Sequence, residues 1–303
     1  MAAPQHPLSR ILAWRAEAAL FHVFSWLLRR LPADWVSATG AALGRAVGPR
    51  SSAHRVAMRN LELALPDLPL DERRRIAVEH WASFGRYIFE FPVTDRLTPA
   101  SGRVEIIGAE RLEAVRASGR PAVFISGHFA SAEVMTAVIL QAGIVCDITY
   151  RAANNPFVDK AIVEGRRRVG VRLFAPKGAQ GARELIEGLR AGRSIAMMND
   201  QRYDAGVEGR FFGQAVKTNP AAARLAQRFG TIIQPMSIQR TRGARFRVVV
   251  HEPITVPERE EPAAAVAETV QAINDFIEAR VRERPEEWWW MHKRFPPEVY
   301  RRG

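Results

Sequence analysis

Between Arg103 and Val256 the chain alternates two kinds of segment, and no other feature limits its fold as strongly. Short β-prone runs stand at residues 104–107, 122–126, 144–150, 171–174, 194–198, 232–238 and 246–250. Helix-period stretches at 131–141, 155–169, 179–189 and 220–229 separate most of them. Strand and helix taking turns predicts an α/β fold with a mixed, mainly parallel central sheet flanked by helices. Only a turn-like stretch divides the last two runs, so those two strands are expected to pair antiparallel.

Outside this stretch the periodicity is helical. Residues 32–91 read as helices, one of them beginning after the turn Pro66-Asp67-Leu68-Pro69, with Asp71 and Glu72 in its first turn and Arg73, Arg74 and Arg75 behind them. A last long helix is expected at 263–284. The chain therefore divides into an N-terminal portion, 1–31, and one domain, 32–303. That domain has a helical lead-in (32–100), an α/β core (101–256), and a closing helix with a Trp-rich segment (257–303). No repeat, low-complexity tract or Gly-rich phosphate loop interrupts it.

Residues 11–28 are apolar around most of a helical circumference. Arg15, His22, Ser25 and Arg29 fall in one narrow stripe, and Trp14, Trp26, Arg29 and Arg30 suit the headgroup level of a bilayer. The segment is short and interrupted for a spanning helix. It is expected to meet a membrane surface or insert shallowly, with a core helix and a true span as the alternatives. No secretory signal is apparent. The single cysteine, Cys146, excludes an intrachain disulfide and fits a reducing, cytoplasmic compartment; its apolar neighbours mark a buried thiol rather than a nucleophile.

Charge narrows the partners. Lys and Arg number 44 against 32 Asp and Glu, a net of +12, which implies an anionic partner: nucleic acid, lipid headgroups or an acidic carrier protein. Nucleic acid is disfavoured, because the basic residues are dispersed, the N-terminal helix is greasy and no recognition motif is present.

The chemistry points to one strand end. The apolar run 122–126 stops at Gly127, and His128 follows at once, where open α/β sheets place their ligands. Glu133 lies five residues on, and of seven histidines only His128 has an acid at that spacing. On a regular helix the two would not share a face. His128 can reach Glu133 only from the strand–helix turn, with Gly127 supplying the turn and Ser131 the cap. A carboxylate bonded to one ring nitrogen would fix the tautomer and leave the other nitrogen to take a proton from an alcohol. No convincing metal-ligand cluster is present, so a metal-dependent hydrolase would need ligands that the sequence does not offer near His128.

Gly127-His128-Phe129-Ala130-Ser131-Ala132-Glu133 resembles the signature of the bacterial lipid A biosynthesis lauroyl/myristoyl acyltransferases, within the lysophospholipid acyltransferase superfamily. Other blocks follow in that family's order: Arg55 to Leu61, Tyr150-Arg151 with Asn155-Pro156, Asn199-Asp200-Gln201, Gly209 to Gly213 with Thr218 and Pro220, and Pro285 to Phe295. The resemblance runs from roughly Glu17 to Arg302, and the joint order of its blocks is specific.

The resemblance implies an O-acyltransferase at the cytoplasmic face of the cell inner membrane. Its donor would be an acyl thioester on acyl carrier protein or coenzyme A, and its acceptor the hydroxyl of an anionic lipid, a phosphorylated glucosamine lipid A precursor. No cofactor is implied beyond that co-substrate. His128 and Glu133 carry over as the catalytic dyad, with Glu133 orienting His128. Arg151, Asp200, Gln201 and Arg210 carry over as substrate-binding or supporting residues, Arg151 and backbone N–H groups opening the next helix being the candidates for oxyanion charge. A glycerolipid, ornithine lipid or glycosylated inositol lipid as acceptor keeps the same chemistry. One departure stands out: the family often carries Asn-Trp before the Glu, where this chain has Ser131-Ala132, which would widen the pocket or alter acyl-chain choice. Arg166-Arg167-Arg168 reads as a solvated face or a phosphate contact, Trp288-Trp289-Trp290 as core or as cover for the site, and His251 as an ordinary strand-end histidine; His292 has no assigned role.

Overall fold

The alternating stretch forms a seven-stranded sheet in a computed structural model that describes residues 7–150, 152–171, 173–176 and 179–301. In chain order the helical lead-in comprises α1 (Leu8–Leu28), α2 (Ala33–Val47), α3 (Ser52–Ala64) and α4 (Leu70–Glu90). The core follows with β1 (Val104–Ile107), α5 (Ala109–Ser118), β2 (Val123–Ser126), α6 (Ala132–Gln141), β3 (Cys146–Tyr150), α7 (Pro156–Arg168), β4 (Leu173–Pro176), α8 (Ala179–Arg190) and β5 (Ser194–Met198). Then come β6 (Arg202–Phe211), β7 (Gln214–Thr218), α9 (Ala221–Phe229), β8 (Ile233–Arg242), β9 (Arg245–Val250) and α10 (Pro262–Glu283).

The strand order is β1-β9-β8-β2-β5-β3-β4. Five neighbours from β8 to β4 run parallel, joined by helical crossovers, whereas β8 and β9 are antiparallel and β1 is parallel to β9. The mixed sheet and its antiparallel pair are thus as the sequence predicts. One element departs from that reading: β6 and β7 form a separate two-stranded hairpin, in a stretch where no strands were expected. Much of β6 is solvent-exposed, so it shows none of the apolar runs that mark strands in the main sheet.

β2 is central and buried on both faces. Val123, Phe124 and Ile125 are each at most 2% exposed, and burial of each such side chain contributes about 1.5–3 kcal/mol. Between β2 and β5 the register pairs Val123 with Ile195 and Ser126 with Met198. Residues equally far beyond these two strand ends therefore come together, which sets the geometry of the site. α4 starts where expected, after Pro69, with Asp71 and Glu72 in its first turn. It crosses α2 at close range because glycines line the crossing. A Cβ at Gly44 would run into the Trp81 carbonyl oxygen, and one at Gly85 into that of Gly40. Cys146 is a free, buried thiol, and burial pushes its pKa up.

Among the described residues α1 is the helix long and apolar enough to cross a membrane. Only Ala18 and Leu28 of it are buried, while Leu8, Leu12, Leu20, Val23, Trp26 and Leu27 are exposed.

Candidate active site

β2 ends at Ser126 and the chain turns sharply, with the Phe129 N–H donating to the Gly127 carbonyl at 2.9 Å. The left-handed residue of this turn is Ala130, at φ +27°. Gly127 instead gives room for the Phe129 ring, which a Cβ there would meet at 2.8 Å. Ser131 occupies the N-cap position of α6, but its side chain makes no capping hydrogen bond. The turn is closed from the far end of the chain: Phe129 bridges to Trp288, and the Ala130 N–H donates to the Glu287 carbonyl at 3.2 Å.

His128 stands two residues beyond β2 and Asp200 two residues beyond β5, so the register brings them face to face. The His128 backbone N–H donates to Asp200 Oδ2 at 2.7 Å, and His128 Nδ1 lies 2.7 Å from Oδ1. The Trp288 indole N–H donates to the same carboxylate at 2.8 Å. Asp200 is buried. Burial alone would raise its pKa, but the charge of His128, its ring and backbone hydrogen bonds, and the indole together hold the carboxyl below the ordinary range. The resulting fixed anion holds Nδ1–H of the imidazole and leaves Nε2 as the free ring nitrogen.

Glu133 does not take the His128 hydrogen bond expected of it. Its two oxygens are clamped by Arg166 of α7, with Nη2 to Oε1 at 2.7 Å and Nε to both oxygens at 3.1 Å, and the Tyr87 hydroxyl of α4 donates to it at 3.3 Å. Glu133, in the first turn of α6, thus bonds to α4 and α7, whereas the ring of His128 bonds to Asp200 beyond the end of β5. Burial would lower the Arg166 pKa, but the Glu133 carboxylate holds it up. Burial, then Glu133, raises the Tyr87 hydroxyl.

His128 and both members of the Glu133–Arg166 pair border one cavity of about 440 Å³. Phe124, Met135, Ile139, Met197 and Met236 give it an apolar interior, and Ala132 leaves open the space a larger side chain would fill. Gln201 also lines it, its Nε2 3.5 Å from His292 Nε2. Arg210 does not come to the site: it is an exposed residue of the β6–β7 hairpin, its backbone N–H bonded to Gln271 of α10. Arg151 lies outside the described residues.

Several site residues lacked a sequence signal of their own. Arg166 was hidden in a run of three arginines, of which Arg167 and Arg168 are indeed exposed. The tryptophans divide: Trp288 and Trp290 are buried, and Trp289 lines the cavity with its ring 4.8 Å from that of His128. His292 lines it too, 5.7 Å from His128 between ring centroids. His251 sits away from the cavity, its Nε2 2.8 Å from Ser237 Oγ, and burial lowers its pKa to about 4.

Residues 7–296 match the family model described as bacterial lipid A biosynthesis acyltransferase. The chain belongs to that family. As a member it is an acyltransferase of lipid A biosynthesis. It is 26% identical over 283 residues to the lipid A biosynthesis lauroyltransferase of Escherichia coli, covering 89% of this chain and 88% of that one. The lipid A biosynthesis palmitoleoyltransferase of the same organism is 24% identical over 281 residues, with 89% and 88% covered. The lipid A biosynthesis acyltransferase of Haemophilus influenzae is 26% identical over 285 residues, covering 90% of this chain and 82% of its own.

Proposed function

We propose that this family member moves a fatty acyl group from an acyl thioester to a hydroxyl of a lipid A precursor, with His128 as base and Asp200 as the carboxylate that orients it. The observation that carries this reading is the imidazole at a strand end, bonded through Nδ1 to a buried carboxylate while the ring borders an apolar cavity. Nε2 takes the proton of the acceptor hydroxyl as its oxygen attacks the thioester carbonyl carbon. A C–O bond forms, the tetrahedral adduct collapses, the C–S bond breaks, and the proton passes from His128 to the leaving sulfur. Asp200 stabilises the imidazolium in between.

The second buried pair serves the oxyanion. Glu133 holds the Arg166 guanidinium at the cavity, where its charge meets the negative charge developing on the carbonyl oxygen. Glu133 in this reading is a positioning residue. N–H groups opening α6 and Arg151, the family's candidate, complete the set of donors, and Gln201 contacts the substrate. The acyl chain fills the apolar interior, in keeping with relatives named for lauroyl and palmitoleoyl transfer. An acidic acyl carrier protein and a phosphorylated acceptor both suit the +12 chain. Residues 1–31 serve as the membrane-associated portion and 32–303 as the acyltransferase domain, at the cytoplasmic face of the inner membrane.

The test is His128→Ala, assayed in detergent with an acyl thioester and a lipid A precursor. Turnover is expected to fall by about 10²–10⁴-fold with the thermal unfolding transition retained; near-normal turnover rejects the assignment. Mass spectrometry of the product names the acceptor. Acylation of a glycerolipid, ornithine lipid or glycosylated inositol lipid instead would keep the chemistry and change the substrate.

A further inference from the structure

We infer that α1 and α2 form one monotopic platform lying along a single face of a lipid bilayer, so that α1 does not cross it. This rests on the membrane reading above and goes past it, because length and composition alone would let α1 span.

The manner of docking of α1 decides against a span. Ile11, Trp14, Ala18, Phe21, Ser25 and Leu28 recur three and four residues apart and are half-buried or buried, so one stripe of the helix lies against the body along nearly its whole length. Polar pins fix it there. Asn155, the N-cap of α7, donates to the Trp14 carbonyl at 2.9 Å and to the Glu17 carboxylate at 2.8 Å. At the other end Arg29 grips Asp95 through two hydrogen bonds of 2.8 and 2.9 Å. Glu17 is within a residue of the helix midpoint. Were α1 to span, Glu17, Asn155 and the start of α7, with Asp159 and Lys160, would stand at mid-depth in hydrocarbon, where charged groups are strongly disfavoured. Laid flat, the same helix keeps those groups in water and turns Leu12, Leu20, Val23 and Leu27 to the acyl chains.

α2 extends that surface. Its inner side is given to the glycine crossing with α4. Its outer half presents Trp35, Ala38, Ala42, Leu43, Ala46 and Val47, all exposed and none charged; Trp35 is 67% and Val47 62% exposed. Beneath the two helices Leu28 and Val36 share one buried cluster with Val93, and exposed Leu31 stands in the short link between the helices. Arg30 stands exposed at the junction and Arg50 beyond the far end of α2. An uncharged helix face with a tryptophan, linked through exposed Leu31 to the helix that carries a second apolar row and flanked by arginines, fits an anionic lipid surface.

Two measurements on the full chain test this. Arg10→Cys, exposed but turned away from the lipid-facing row, and, separately, Ala191→Cys are treated with a membrane-impermeant maleimide in spheroplasts and in inverted inner-membrane vesicles, the parent enzyme with its buried Cys146 being the blank. Labelling of both sites from the same side is expected; labelling of Arg10→Cys from the opposite side overturns the platform while leaving the membrane reading in place. In the second, Leu43→Glu/Val47→Glu is floated with phosphatidylethanolamine–phosphatidylglycerol vesicles, where binding should weaken about tenfold with turnover in detergent unchanged. Unaltered vesicle binding overturns the role of α2, as does conversion of a dimer to a monomer, which would make a second copy the occupant. Failure of the parent enzyme to bind vesicles would sink the membrane reading itself.

Discussion

The strand ends that carry His128 and the outer faces of α1 and α2 are built on opposite principles. At the candidate site each buried carboxylate has its partner: Asp200 the imidazole of His128, Glu133 the guanidinium of Arg166. On the outer faces of the two helices large apolar side chains are left bare and charge is kept to the margins. The contrast teaches where each part finds its energy. Buried ion pairs hold their geometry because loss of either partner strands a charge in a medium that cannot solvate it. Bare apolar rows add almost nothing to folding and keep their transfer free energy for a surface outside the protein.

Three substitutions would break or sharpen that contrast. The largest effect is expected at Asp200→Asn, which keeps the shape and loses the charge. Turnover should fall about 10²–10⁴-fold with the apparent KM little changed, read from steady-state rates across pH. Glu133→Gln comes next. It removes one partner of a buried pair, so urea unfolding should show a loss of about 3–5 kcal/mol. The pH dependence of the remaining activity should keep its midpoint; a shifted midpoint with full stability would return Glu133 to the side of His128. The smallest is Val23→Gln on the outer row of α1. Stability in detergent should stay within about 0.5 kcal/mol of the parent, and a loss several times larger would mean that this row is covered by protein.

Local patterning made most of the fold legible. Buried strands such as β2 and β5 are continuous apolar runs, and the helices between them carry their own period, so both stand out within a short window of residues. The β6–β7 hairpin does not, because it is ordered by distant partners rather than by its own pattern. Arg210 bonds across to Gln271, and Thr218 donates to Asn274 at 2.9 Å. The site divides in the same way. His128 was readable from its place at a strand end. Asp200 was readable as a supporting acid through the resemblance, but not as the partner of that ring, since 72 residues separate them and only the β2–β5 register joins them. Nearness along the chain favoured Glu133, but a five-residue separation says nothing about the partners that each side chain meets from elsewhere, Asp200 for His128 and Arg166 for Glu133. Arg166 reaches the cavity from α7, and Trp289 and His292 reach it from the segment after α10.

The bridge between Phe129 and Trp288 ties the reacting centre to a stretch of chain far from it in sequence. Residues 285–292 complete the turn that presents His128, donate the Trp288 indole to Asp200 and offer the Trp290 and His292 carbonyls to Asn60, each at 2.6 Å. Without them the turn would stay open and the carboxylate would lack one of its donors. Damage confined to these residues would therefore reach the acyl-transfer chemistry without touching the strand that carries the imidazole.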